Sequence, residues 1–163
     1  MKKSIFFIIF FFLIPFNSFS LEIAIVDIDY LINVSKKGKK IQNELKNKSD
    51  NQFKKFQNQE KKFKETENNI KSKQNVLSKE DYKKEVVKFT DKVKKYNIDK
   101  KKTIRELNKN KSQEIAKLLK EINDILIQYS KENKIITLID KKNVIITKTE
   151  NDITQKILKI LDK

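Results

Sequence analysis

Hydrophobic positions fall into three regimes along the 163-residue chain. An apolar run, Ile5–Phe16, follows Lys2 and Lys3 and ends at Asn17-Ser18-Phe19-Ser20. The basic start, a run shorter than the ~20 residues that span a bilayer, and small residues at Ser18 and Ser20 predict a secretory signal peptide, residues 1–20, cut after Ser20. Short β-branched runs then occupy both ends of the remaining chain. Ile23-Ala24-Ile25-Val26 predicts a buried strand, and Ile135–Ile139 and Val144–Thr147 predict two more. Asp140-Lys141-Lys142-Asn143 between the last two suits a hairpin loop. Beyond it, Ile153, Ile157, Ile160 and Leu161 recur at helical spacing, with Asp152 as expected N-cap and Gln155 at the capping-box position.

Between these ends the repeat lengthens to seven. Phe56, Phe63, Ile70 and Leu77 mark an outbound helix that starts near Lys36. Ser78, with Asp81 three residues on, is a cap for a second helix and places a hairpin tip near 75–79. The return leg shows Tyr82, Val86, Phe89, Val93 and Tyr96, the alternating spacing of a coiled-coil seam. It continues through Ile104, Leu107, Ile115, Leu118, Ile122, Ile125 and Tyr129. The steps Tyr96–Lys100–Ile104 and Leu107–Lys111–Ile115 are insertions that relax a left-handed supercoil. At about 1.5 Å per residue such a hairpin reaches roughly 60 to 80 Å. Its seam partners Glu60, Glu67 and Gln74 are polar, whereas Ile115–Tyr129 is densely apolar. This contrast predicts a stiff base and a distal arm that bends and frays.

Charge sharpens the division. The chain has 38 Lys+Arg against 22 Asp+Glu, a formal +16. In 21–35 and 133–163 seven lysines balance seven acids, while 36–132 carries 29 basic residues against 15 acidic ones. A neutral apolar body thus bears a cationic insertion. The expected fold class is α+β, mainly α: three short strands per chain and a C-terminal helix form the body, and an antiparallel helical hairpin forms the arm. So small a body buries too little surface to stand alone, and the composition, without Cys or His, excludes a structural metal or disulfide staple, so self-association is expected. Ile23, Ile25, Ile136, Leu138, Val144 and Ile146 are the candidate oligomerisation residues.

The same composition removes most chemistry. With no His and no Cys there is no imidazole base, thiolate nucleophile or ordinary zinc site. With a single glycine, Gly38, there is no glycine-rich phosphate loop. Asp27 and Asp29 stand alone near a strand end and read as turn or cap residues. The expectation is a protein that is not an enzyme and carries no cofactor and no metal. Lysine runs, including Lys61, Lys62, Lys64 and Lys100, Lys101, Lys102, would attract a polyanion such as lipopolysaccharide, anionic lipid or acidic protein. Nucleic acid is not an expected partner, because base readout favours arginine, of which there is one, and export removes the chain from the genome. Phe53, Phe56, Phe63, Phe89 and Ile70 are either the hairpin seam or, where that seam is sparse, apolar contacts for non-native chains. A membrane-anchored or envelope coiled-coil scaffold and a pure polyanion binder are the alternatives to that second reading.

Order and spacing together resemble the Skp/OmpH family of periplasmic chaperones. The likeness runs through Glu22-Ile23-Ala24-Ile25-Val26-Asp27, the Ser-x-x-Gly step at Ser35–Gly38, Ile136–Asp140, Asn143–Ile146 and Asp152-Ile153-Thr154. The resemblance implies a jellyfish-like homotrimer whose strands join in a shared barrel and whose hairpin arms enclose a cavity. It implies unfolded outer-membrane proteins as clients, a periplasmic location, no ATP and no catalytic site.

Overall fold

The computed structural model describes residues 23–163; the expected signal peptide lies outside the described residues. The element order is β1 (Ile23–Val26), α1 (Ile28–Val34), α2 (Lys36–Ser72), α3 (Lys79–Glu132), β2 (Thr137–Asp140) and α4 (Thr154–Leu161), with short 3₁₀ turns at Lys141–Asn143 and Thr149–Asn151. β1 and β2 pair in parallel, Ile23 beside Thr137 through to Val26 beside Asp140. Parallel neighbours need a crossover connection, and here α1 and the whole α2–α3 hairpin supply it. The arm is therefore an insertion between two adjacent strands, which is why body residues come from both chain ends.

Local chemistry sets the joints. The Asp27 carboxylate accepts from the Tyr30 amide at 2.8 Å and caps α1, while the Asp27 amide donates to the buried Thr154 hydroxyl at 2.9 Å. Ser35 then serves two helices. Its amide closes α1 on the Leu31 carbonyl, and its fully buried hydroxyl accepts from the Gly38 amide at 3.1 Å to cap α2. At Gly38 a Cβ would lie 1.8 Å from the Ile32 carbonyl oxygen. The Ser-x-x-Gly step is thus an elbow, and glycine is needed because the end of α1 rests on the first turn of α2. Asp162 closes the same joint from outside, accepting from the Lys36 amide at 2.8 Å.

The hydrophobic core gathers Ala24, Val26, Leu31, Leu118, Ile122, Leu126, Ile135, Ile153, Ile157 and Leu161. Every body helix and the root of α3 contribute, so the arm base and body share one core. α3 ends in a left-handed turn at Lys134 (φ 56°), with the Ile135 amide donating to the Ser130 carbonyl at 3.0 Å. That six-to-one bond is the Schellman closure, and it drops Ile135 into the core.

Two local expectations are corrected. Val144–Thr147 is not a strand and makes no hairpin with β2: Asp140 accepts from the Lys142 amide, a 3₁₀ turn carries the chain away, and β2 pairs with β1 instead. Asp152 is not the N-cap of α4, which begins at Thr154. The residue is held extended as an isolated bridge beside Ile25, and the Ile153 amide donates to the Ile25 carbonyl at 2.9 Å. One element went unforeseen, the seven-residue helix α1.

Candidate functional site

The arm is a pair of antiparallel helices, and residues far apart in sequence lock it at three levels. Lys37 pairs with Glu121 at the root, Glu60 with Lys100 in the middle, and Lys73 with Glu85 near the tip at 3.6 Å. The Ser78 hydroxyl accepts from the Asp81 amide at 3.1 Å, so the tip closes on the expected cap. It spans residues 73–78, between the ends of α2 and α3.

Phe53, Phe56, Tyr96, Phe63 and Phe89 form a chain of edge-to-face rings, with successive centroids 6.3, 6.2, 5.1 and 6.0 Å apart. Rings at these separations attract beyond their burial. The Tyr96 hydroxyl donates to Glu60 Oε1 at 3.0 Å, and Lys100 Nζ reaches the same oxygen at 2.5 Å while lying 5.4 Å above the Phe56 ring. Two of the polar interruptions of the seam, Glu60 and Lys100, therefore face one another. Lys100 and Tyr96 bonds hold the Glu60 carboxyl below its usual range. Burial, then the neighbouring Glu60 carboxylate, push the Tyr96 phenol up to about 12.

This geometry divides the candidate residues. Phe56 and Ile70 are buried in the seam, Phe63 and Phe89 are half-buried there, and Lys100 is occupied by Glu60. Phe53 stays 52% exposed. Lys61, Lys62, Lys64, Lys101 and Lys102 are exposed, and none of them makes a salt bridge among the described residues. Sequence periodicity did not single out Val76, Val87 or Ile98, three exposed apolar side chains on the basic arm. Their signal was present as apolar residues that fall off the seam repeat. Ile98 sits with Val93, Lys94 and Lys101 on a shallow apolar groove rimmed by cations.

The aromatic chain braces the middle of the arm, and an opening lies between it and the root. A cleft of about 570 Å³ separates Ile41, Leu45 and Ser49 on α2 from Leu107, Lys111 and Ile115 on α3. Ser49 is too short, and Lys111 too polar, to fill that layer. The root itself is dense, as expected, through Leu118, Ile122 and Leu126.

In the body, Ile25 is buried and Leu138 packs against the core, Val144 is half-buried, and Ile23, Ile136 and Ile146 are exposed. Asp152 pairs with Lys141 at 2.8 Å. Burial works against its charge, but the bonds from Lys141 and Thr154 outweigh it and hold the carboxyl low. Among the described residues no group of acids could hold a metal ion, and no helix is long and apolar enough to cross a membrane.

Comparison with known proteins matches this architecture. The family model for outer membrane protein (OmpH-like) matches residues 22–161. Among solved structures, a candidate outer membrane chaperone (OmpH-like) from Caulobacter crescentus CB15 superposes with a TM-score of 0.81. It is 15% identical and aligns over 86% of this chain and 83% of its own. No curated protein matches the sequence.

Proposed function

The chain belongs to the OmpH-like outer membrane protein family, and from that premise we propose that it is an ATP-independent periplasmic holdase that keeps unfolded outer-membrane proteins from aggregating. The observation that carries this reading is the arm. Helices of 37 and 54 residues project from a small body; with the tip that joins them they hold all the net charge of residues 21–163 and present unpaired lysines interleaved with exposed Phe53, Val76, Val87 and Ile98. The neighbour's name as an OmpH-like chaperone points the same way.

Mechanism follows from these surfaces. Outer-membrane β-barrel chains are commonly acidic, so a cationic arm steers them by its long-range field. Once near, the chain meets many weak apolar and ionic contacts, whose joint occupancy supplies affinity without a rigid fit. In a homotrimer the body gathers three arms about one cavity, with Lys61, Lys62, Lys64, Lys101, Lys102 and the exposed apolar side chains as client contacts. Release needs no fuel, because each contact is weak. A signal peptide cleaved after Ser20 delivers the protein to the periplasm, and lipopolysaccharide or anionic lipid are further ligands for the same lysines.

Light scattering by an unfolded β-barrel protein diluted from denaturant tests the proposal. The protein without residues 1–20 is expected to suppress aggregation at low salt, and several hundred millimolar salt, which shortens the Debye length to a few ångströms, is expected to slow capture. Absence of protection sinks the holdase reading and leaves a polyanion binder. Mass measurement of the exported protein separates a start at Leu21 from a retained anchor at Met1.

A further inference from the structure

The seam of the arm is filled on either side of one layer and open within it. Distally the ring chain from Phe53 to Phe89 closes it, and towards the body Leu118, Ile122 and Leu126 are buried. The cleft between them, about 570 Å³, has the volume of a small-molecule site. Its walls are Ile41 and Leu45 on α2 and Leu107 and Ile115 on α3, with Leu118 and the side-chain-free Gly38 at the root end. All four wall residues are only half-buried, so each keeps apolar surface that the hairpin itself does not cover. The polar groups sort by position. Asn33 and Gln42, at the root end, bond to one another at 2.9 Å. The pairs Lys37–Glu121 and Glu60–Lys100 fix the antiparallel register and bring Ser49 about level with Lys111 at the other end. Lys46 and Lys111, one from each helix, are exposed and make no ion pair among the described residues. No Asp or Glu lines the cleft.

We propose that this cleft binds a single-chain fatty carboxylate, its tail along Ile41, Leu45 and Ile115 towards Leu118 and its carboxylate between Lys46 and Lys111. An apolar trough with a cationic, acid-free mouth is complementary to an anionic amphiphile. A polypeptide segment fits it poorly, because backbone N–H and C=O groups laid on apolar walls would lose water without gaining partners. An acyl chain has no such groups. Packed layers at both ends also mean that the occupant must stop inside the cleft, which a free tail does and a long chain does not. The dimensions set the tail. From Gly38 to Ser49 α2 advances about 16 Å. A zigzag of ~1.5 Å carbon–carbon bonds advances roughly 1.25 Å per carbon, so about twelve carbons fill the space. Each methylene covered adds close to fourfold in affinity, and the mouth lysines add selectivity for the anion. The site is separate from the lysines assigned above to clients and does not depend on the holdase reading.

Titration calorimetry of the protein without residues 1–20 tests the site, with each carboxylate kept below its micelle concentration. Dodecanoate is expected to saturate at one molecule per chain. From octanoate to dodecanoate affinity is expected to rise about fourfold per methylene and then to level at hexadecanoate. A series with no dependence on length, or one still rising at hexadecanoate, overturns a bounded cleft. Ser49→Leu, which fills the vacant layer, is expected to weaken dodecanoate at least about tenfold. Lys46→Gln with Lys111→Gln, both at exposed positions, keeps the fold and is expected to weaken it about three- to tenfold. Unchanged affinity in either variant overturns the assignment, as does equal binding of dodecyltrimethylammonium, which carries the same tail and the opposite charge. Amide exchange gives the location: dodecanoate is expected to slow it in residues 41–49 and 107–115, and slowing confined to other residues overturns the site. An excess of unfolded β-barrel protein is expected to leave dodecanoate bound. Displacement would make the cleft a client surface and overturn it as a separate site, whereas loss of aggregation protection alone would leave it standing.

Discussion

Gly38→Ala is the smallest change that tests the elbow. The added methyl would sit 1.8 Å from the Ile32 carbonyl oxygen, 2.8 Å from its carbonyl carbon and 3.0 Å from the Ser35 hydroxyl oxygen. Real carbon–carbon and carbon–oxygen contacts lie near ~3.5 Å, so α1 and α2 must part by well over an ångström. Two of the three atoms are backbone and have no rotamer to escape into. The third is the hydroxyl that caps α2, so relief in that direction loosens a cap worth about 1 kcal/mol. Overpacking of this kind costs about 1–3 kcal/mol. Against it stands the gain from replacing a helical glycine with alanine, about 0.5–1 kcal/mol. The net expectation is a loss of about 1–2 kcal/mol, read as a lower urea midpoint at fixed protein concentration, since the proposed assembly would make stability concentration-dependent. Lys39→Ala, exposed on the neighbouring turn, is the control and is expected to move the midpoint little. An alanine variant as stable as the parent would show that the elbow has slack and refute the close approach.

Three further outcomes follow from single sites. Lys134 holds a left-handed φ of 56°, a conformation costing about 1–2 kcal/mol for a residue with a Cβ. Allowing for glycine's freer unfolded chain, Lys134→Gly is expected to stabilise by up to about 1 kcal/mol in the same urea assay, and a destabilised variant would count against the Schellman closure. Lys111→Leu places an apolar side chain in the cleft beside Ser49 and is expected to raise stability by about 0.5–2 kcal/mol, with slower amide exchange in residues 41–49 and 107–115; unchanged exchange would mean that the cleft does not limit the arm. The seam also has a pH window. The Tyr96 phenol titrates near 12 in the folded arm against 10.0 when free, so its contribution is complete below pH 10 and is lost as pH rises towards 12. The Glu60 carboxyl is held below its ordinary 4.5, so its contribution is present above that value and is lost as pH falls beneath it. Melting curves from pH 9 to 11.5 are expected to flatten in Tyr96→Phe, and an unchanged alkaline slope would remove the phenol from the account.

The helical hairpin was legible because its signals are local and repeated. A chain with one glycine, heptad-spaced Phe56, Phe63 and Ile70, and a Ser78–Asp81 cap has few other ways to fold. What sequence reading missed depends on partners it cannot see. Val144–Thr147 has the composition of a strand, but a strand exists only beside another, and the 3₁₀ turn at Lys141–Asn143 carries this segment away from the free edge of β2. Glu60 and Lys100 each looked like defects in a seam, since a period computed along one helix does not reveal what stands opposite. Their pairing became visible only once the register of the two helices was set. The cleft at Ser49 and Lys111 was read as rhythm, an insertion in the repeat, without the consequence that two poor fillers coincide in one layer. Helix α1 escaped because seven residues carry barely two turns of pattern, although Asp27 and Ser35 bracket it with caps at both ends.

The separation of charge from apolar surface now has a physical rationale. Assembly and capture would interfere if they used the same kind of surface. A body carrying the +14 of the arm would repel its own copies at contact distance, where charge repulsion is strongest, and an arm as apolar as the body would join other arms rather than wait for a client. Placing all the net charge on the arm lets the neutral body associate through short-range apolar burial, which salt leaves intact or strengthens. In the proposed homotrimer the like-charged arms would meanwhile repel one another and hold the space between them open. The exposed apolar residues on the arm, Phe53, Val76, Val87 and Ile98, are spaced among lysines, so no two arms can bring them together without also bringing cations into contact. An acidic unfolded chain meets no such penalty. On the proposed holdase reading, the pattern that excludes self-pairing of the arms is the same one that would admit a client of opposite charge, with the lysines supplying selectivity and the scattered apolar side chains retention.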